Sequence, residues 1–173
     1  YGKTMASSYA AANLKAYFVS AKAIWTRKTM LQAILDEMGI PAKRTTAEMF
    51  DQVCEELSCS GKPLIIDEFD SGIHDLLSRA LIQSIFKDIS GQLIMTTHNT
   101  SLMDNETMIN KDSPLPDIPA ECIYTINEDD AHKKDITCIL TYDNKLNSNS
   151  NVRKQYIQGK YRGIPSKISL NFK

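Results

Sequence analysis

Apolar residues recur at helical spacing twice in the first half of the chain. Between Thr26 and Met38, Met30, Ile34 and Met38 fall four apart with Leu31 and Leu35 beside them, which predicts a helix with one core-facing side. Thr26 stands where an N-cap belongs, and Gly39 followed by Pro41 ends the pattern. Thr46 opens another helix, with Met49, Phe50, Val53 and Leu57 on one face and Gly61 and Pro63 as its stop. The Ala- and Ser-rich stretch Met5 to Lys15 holds few helix breakers and predicts a third. Three short apolar runs separate these segments. Ala16 to Ser20 (AYFVS), Pro63 to Ile66 and Gln92 to Thr97 (QLIMTT) read as strands, the last two apolar without alternation, as strands covered on both faces are. Helical spacing returns from His74 to Ile89, with Leu76, Leu77, Ala80, Leu81, Ile85 and Phe86 apolar. Strands alternating with helices predict an α/β fold with a mainly parallel sheet and helices on its faces.

The texture changes after Leu102. Asn105 to Pro119 is polar and proline-rich and reads as a loop. Glu121 to Asn127 (ECIYTIN) and Asp135 to Tyr142 (DITCILTY) alternate apolar with polar and predict a hairpin, a β-rich extension to the α/β part. Leu146 to Val152 is rich in Asn and Ser. From Asn144 onward there is no acidic residue, while Lys145, Arg153, Lys154, Lys160, Arg162, Lys167 and Lys173 are basic, so this tail is the candidate for contact with DNA phosphates.

Composition narrows the function classes. A chain of 173 residues with 42% hydrophobic residues suits one core of its own. The net charge of −1 excludes a general basic coat for nucleic acid. No apolar run reaches the roughly 18 to 20 residues of a membrane span, and the start lacks the apolar core of a signal peptide, so a soluble, cytoplasmic protein with no membrane partner is expected. The first residue is Tyr1 rather than Met, and the expectation is a fragment of a longer chain. Cys54, Cys59, Cys122 and Cys138 match no zinc spacing and are expected to be reduced, partly buried residues.

Three short motifs carry candidate chemistry. Gly2-Lys3-Thr4 matches the last positions of the phosphate-binding loop G-x-x-x-x-G-K-[ST], in which the Lys reaches the β- and γ-phosphates and the hydroxyl meets Mg²⁺. That loop opens a helix, as the residues after Thr4 do here. Leu64-Ile65-Ile66-Asp67-Glu68 puts an acidic pair at the C-terminal end of a buried strand, the edge where open α/β sheets bind ligands. Asp67 would hold Mg²⁺ and Glu68 would act as general base on the attacking water. Thr96-Thr97-His98-Asn99 ends the next strand, where His98 can meet the γ-phosphate. His74 and His132 have no such placement and read as surface residues.

Two family resemblances attach to these residues. The run YGKTMASSYAAANLKAYFVSAKAIWTRKTMLQAILDEMGI with SGKPLIIDEFD resembles the ATP-binding AAA-type subunit (B subunit) of Mu-like phage transposition, over residues 1–70. From residue 63 to the end, PLIIDEFDSGIHDLLSRALIQ, GQLIMTTHNTSLMD and YIQGKYRGIP resemble ABC-like ATPases of the OLD and AAA-21 kind, associated with phage defence. The first resemblance implies ATP-dependent DNA binding. The second implies Asp67 for Mg²⁺, Glu68 as base, Ser71-Gly72-Ile73-His74-Asp75 as a dimer-contacting loop and His98 as a switch histidine, and so gives His74 a role. ABC-like enzymes also carry a Ser-Gly-rich signature before the acidic strand, and TTAEMFDQVCEELSCSG has none.

Together these readings predict a single P-loop NTPase domain over residues 1–173, a three-layer sandwich whose first strand precedes Tyr1. Residues 1–70 are its transposition-like part and 71–173 its ABC-like part. Gly2, Lys3, Thr4 and Asp67 bind the nucleotide, Thr4 and Asp67 the metal, and Glu68 and His98 are catalytic. ATP and Mg²⁺ are the expected cofactors, with DNA, a partner protein or a second copy as further partners. The expected activity is ATP hydrolysis, the alternative a nucleotide-gated DNA or protein interaction module, or a chimeric fragment, with little or no hydrolysis.

Overall fold

The computed structural model describes residues 3–70, 78, 82, 90–103, 118, 120–128, 133–142 and 151–161. The chain forms two compact units, Tyr1–Asn99 and Thr100–Lys173.

The first unit is α/β. Helix α1 (Lys3–Leu14) buries only Ser7 and Ala11, one turn apart, and these small side chains let it approach the sheet closely. It ends with Lys15 in the left-handed region (φ 51°) and the Ala16 amide on the Ala11 carbonyl at 2.9 Å. Strand β1 (Tyr17–Ser20) follows directly. Helix α2 (Arg27–Met38) starts where the sequence predicts: Thr26 accepts from the Thr29 amide, and the Thr29 hydroxyl accepts from the Thr26 amide in return. It stops at Gly39, whose φ of 73° suits a residue without a Cβ. Met30, Leu31, Ile34 and Leu35 are its buried stripe, and Met49, Val53 and Leu57 form that of helix α3 (Thr46–Ser60), which packs against it.

A capping box of Thr45 and Glu48 opens α3. The Glu48 carboxylate accepts from the Thr45 hydroxyl at 2.7 Å and the Thr45 amide at 3.1 Å. The hydroxyl contact first, then the amide, hold the Glu48 carboxyl below its ordinary range, with Lys43 adding a smaller pull. A depressed folded-state value means the stabilisation is complete above the unfolded-state value and is lost as pH falls through the folded one. Glu48→Ala should therefore show a shallower fall of the urea midpoint on acidification than the parent. Parallel acid limbs for the two proteins would refute this linkage.

Strands β2 (Leu64–Asp67) and β3 (Leu93–Met95) complete a parallel sheet of order β1-β2-β3. Tyr17 pairs with Leu64 and Ser20 with Asp67 on one side of β2, and Leu64 pairs with Leu93 on the other. Leu64, Ile65 and Ile66 are buried on both faces of this central strand, as their unbroken apolar run predicts. The sheet with its connecting helices is the α/β arrangement expected of a P-loop NTPase core. β3 is shorter than the predicted 92–97, although Gln92 and Thr96 still exchange backbone hydrogen bonds with β2. Thr97 leaves the ladder because its hydroxyl accepts from the Asn99 amide at 2.8 Å and folds the chain into a turn. The helix predicted at 74–89 lies outside the described residues except for Ser78 and Ile82, both helical and buried.

The second unit holds an antiparallel hairpin, β4 (Tyr124–Glu128) with β5 (Lys134–Cys138), in which Ile126 faces Ile136. Both strands are shorter than the alternation predicts. Short 3₁₀ turns occupy Ala120–Cys122 and Ile139–Thr141, and the second seats Ile139 fully in a cluster with Val152 and Tyr161. Val152 belongs to helix α4 (Val152–Ile157), capped by Asn151. The hairpin covers its polar face: Thr125 and Asn127 are buried, with Thr125 Oγ1 donating to the Tyr161 carbonyl at 3.2 Å and Asn127 Nδ2 to the Tyr142 hydroxyl at 2.8 Å. Tyr124 and Ile136, by contrast, are 59% and 65% exposed. No disulfide joins the cysteines; Cys54 and Cys138 are half-buried, while Cys59 and Cys122 are exposed rather than partly buried. Among the described residues no helix is long and apolar enough to cross a membrane.

Candidate functional site

All three parallel strands point their C-terminal ends the same way, so β2 delivers Asp67 and β3 delivers Thr96 to one edge. Asp67 is 0% exposed, the one charged side chain buried among the described residues. Its Oδ1 accepts from the Thr96 hydroxyl at 2.5 Å and, at 3.4 Å, from that of Ser7 on α1. Its Oδ2 is buried with no hydrogen-bond partner among the described residues. A buried carboxylate oxygen left so is costly unless a cation or donor meets it. A divalent cation fits that need.

Glu68 follows with a φ of 52°, in the left-handed region that costs a non-glycine residue on the order of 1 kcal/mol. The surrounding contacts enforce it. The Glu68 amide donates to Thr96 Oγ1 at 2.9 Å, the Phe69 amide to the Thr96 carbonyl at 3.0 Å, and the Phe69 ring is fully buried. The Glu68 side chain is thereby left exposed at the strand edge. A carboxylate free to face solvent beside a buried one suits a base acting on water next to a metal ligand.

The first helix brings the remaining cation. Lys3 Nζ lies 2.6 Å from Nε2 and 3.1 Å from Nδ1 of His98, although the two residues are 95 positions apart. An ammonium only donates, so a ring nitrogen of His98 is the acceptor, and the tautomer decides which. The turn carrying His98 is tied to the acidic loop: Thr97 Oγ1 donates to Asp70 Oδ1 at 2.6 Å, and the His98 amide reaches the same oxygen at 3.4 Å.

Of the residues singled out in the sequence, Lys3 belongs to α1, Asp67 ends β2, and Glu68 and His98 lie on the loops that follow β2 and β3. Thr4 is exposed in the first turn of α1, beside Lys3. Gly2, the segment 71–75 with His74, and His132 lie outside the described residues. Two contributors escaped the sequence reading. Ser7 sits four residues after Lys3 and four before Ala11, so this face of α1 was detectable as a row of small or polar side chains. Asp70 carried a weaker signal, as the third acid of Asp67-Glu68-Phe69-Asp70. No group of three or more His, Cys, Asp or Glu side chains among the described residues could hold a metal alone. A cation here would depend on Asp67, with hydroxyls, water or phosphate completing its shell, the usual habit of Mg²⁺.

Residues 57–104 match the family AAA_21, described as "AAA domain, putative AbiEii toxin, Type IV TA system". The matched stretch contains β2 with Asp67, β3, and the loops with Glu68, Asp70 and His98, and it supports a P-loop ATPase-like domain. No curated protein and no solved structure matches the chain.

Proposed function

We propose that the first unit binds Mg·ATP at this edge and hydrolyses it. The observation that carries the reading is the 2.6 Å approach of Lys3, at the start of α1, to His98, at the end of β3, beside a buried and half-unpartnered Asp67. A lysine in the first turn of a helix, a metal-ready carboxylate and a histidine are the groups that a triphosphate with its cation needs. Lys3 would contact the β- and γ-phosphates, with Gly2 contributing backbone to the same cradle. Thr4 and Asp67 would hold Mg²⁺, which supplies charge neutralisation at the phosphates. Glu68 would take a proton from the attacking water, and His98, released from Lys3, would contact the γ-phosphate. Asp67, Glu68 and Asp70 crowd three carboxylates into four residues, so the cation is also what lets a polyphosphate approach.

A second reading keeps nucleotide binding but little turnover. It is favoured by the segment where ABC-like enzymes carry their signature: here it folds as the ordinary amphipathic helix α3, its apolar side committed to the core. In either form, coupling to DNA, a partner protein or a second copy, in transposition or phage defence, belongs to the proposal. For DNA its support is the basic tail, of which Arg153, Lys154 and Lys160 are described.

The test is a thermal melt with millimolar Mg·ATP. Binding at 100 times Kd stabilises the native state by about 2.7 kcal/mol, which raises the midpoint by several degrees. Lys3→Ala should lose most of that rise while melting normally without nucleotide. A parent protein whose midpoint ignores Mg·ATP would sink both readings.

A further inference from the structure

We propose that Asp70 is a positioning residue: it holds the Thr97–Asn99 turn so that the His98 imidazole stands at the nucleotide edge, and it governs turnover through His98 without touching the nucleotide. The inference rests on the proposed ATP site and adds a residue to it.

One carboxylate oxygen organises the whole turn. Asp70 Oδ1 accepts from Thr97 Oγ1 at 2.6 Å and from the His98 amide at 3.4 Å. The same Thr97 hydroxyl accepts from the Asn99 amide at 2.8 Å, so the anchor passes through Thr97 to the residue beyond His98. Hydrogen bonds to an ionised acceptor are roughly twice as strong as neutral ones, which suits an anchor in a half-exposed loop. Asp70 is itself fixed from behind. Phe69 is fully buried, and its amide is bonded to the Thr96 carbonyl, so the backbone entering Asp70 cannot drift.

Asp70 and Asp67 thus do parallel work on neighbouring threonines. Thr96 donates to Asp67 at 2.5 Å and Thr97 to Asp70 at 2.6 Å, and together they lock the acidic loop to the loop of His98. The Asp67 bridge sets the metal side. The Asp70 bridge sets the histidine side, whose ring already meets Lys3. Among the described residues the Asp70 carboxylate bonds only to this turn, which fits a group whose work is to shape it.

The prediction separates positioning from bulk stability. Thr97 is exposed, so Thr97→Val removes the bridge without opening the core. Asp70→Ala and Thr97→Val should each lower kcat about 10-fold with KM for Mg·ATP within about 2-fold, the pattern of a misaligned group rather than lost binding. Asp70→Asn, which keeps an acceptor, and Thr97→Ser, which keeps the hydroxyl, should restore at least about half of kcat. In a His98→Ala background, Asp70→Ala should change kcat less than about 2-fold, because the group it positions is gone. Independently of turnover, the ¹⁵N imidazole resonances of His98 in nucleotide-free protein, assigned by their loss in His98→Ala, should move in Asp70→Ala and Thr97→Val. Equal losses of kcat in both backgrounds, or unmoved His98 resonances, would overturn the proposal. If the parent protein neither binds nor hydrolyses Mg·ATP, the functional reading falls instead, and the resonances alone decide whether Asp70 positions His98.

Discussion

Glu68→Gln is expected to cut single-turnover phosphate release by at least about 100-fold, within the usual range for loss of a general base, while leaving Mg·ATP bound. The substitution keeps the volume and polarity of the side chain and removes only its ability to take a proton. It leaves the local backbone alone, because the left-handed conformation is held by the Glu68 amide on Thr96 and by buried Phe69, neither of which involves the carboxylate. Asp67, the proposed metal ligand, keeps its Thr96 and Ser7 partners. Equilibrium binding of a fluorescent ATP analogue should therefore stay within about 3-fold of the parent, and loss of rate with retained binding isolates the transition state. Turnover preserved within that same factor would remove Glu68 from the mechanism and favour the low-turnover reading.

The second large effect concerns stability. Ile66→Ala should destabilise the first unit by about 2–5 kcal/mol, from lost burial together with the cavity left behind. Ile66 is 0% exposed and lies in the central strand, paired with Val19 on one side and Met95 on the other, so the space cannot close by moving an edge. Ile66→Val at the same position should cost only about 0.5–1.5 kcal/mol. The measurement is urea unfolding followed by far-ultraviolet circular dichroism. Costs that are equal for the two variants would mean that packing around β2 is looser than its burial implies. The residue also precedes Asp67 directly, so weakened nucleotide stabilisation should accompany the Ala variant.

Much of the first unit was legible because its signals are local. Thr26 and Gly39 bracket α2 through one hydroxyl and one positive φ, and both can be read from residue type alone. The run Leu64 to Ile66 could only be a strand covered on both faces, and the acids after it had to emerge at its end. The roles of Ser7 and Asp70 were harder to read for the opposite reason: each matters through a partner far along the chain, Asp67 for Ser7 and Thr97 for Asp70. The hairpin shows another limit. Alternation in β4 and β5 separates two faces correctly but does not say which is covered, and here tyrosine hydroxyl and carbonyl partners draw Thr125 and Asn127 inward while Ile136 stays out.

The parallel sheet of the first unit also governs how the site comes into being during folding. No two of its strands are joined by a tight turn: Tyr17 must find Leu64 across two intervening helices, and Leu64 must find Leu93 far along the chain. Such distant pairings carry a large loop-closure cost before any contact repays it, so they belong to the late, slow part of folding. Helices α1, α2 and α3 can flicker into being on their own, but Asp67 meets Ser7, and Lys3 meets His98, only once the ladders are in register. The candidate site is therefore a property of the finished sheet, and a partly folded chain carries its residues without its geometry.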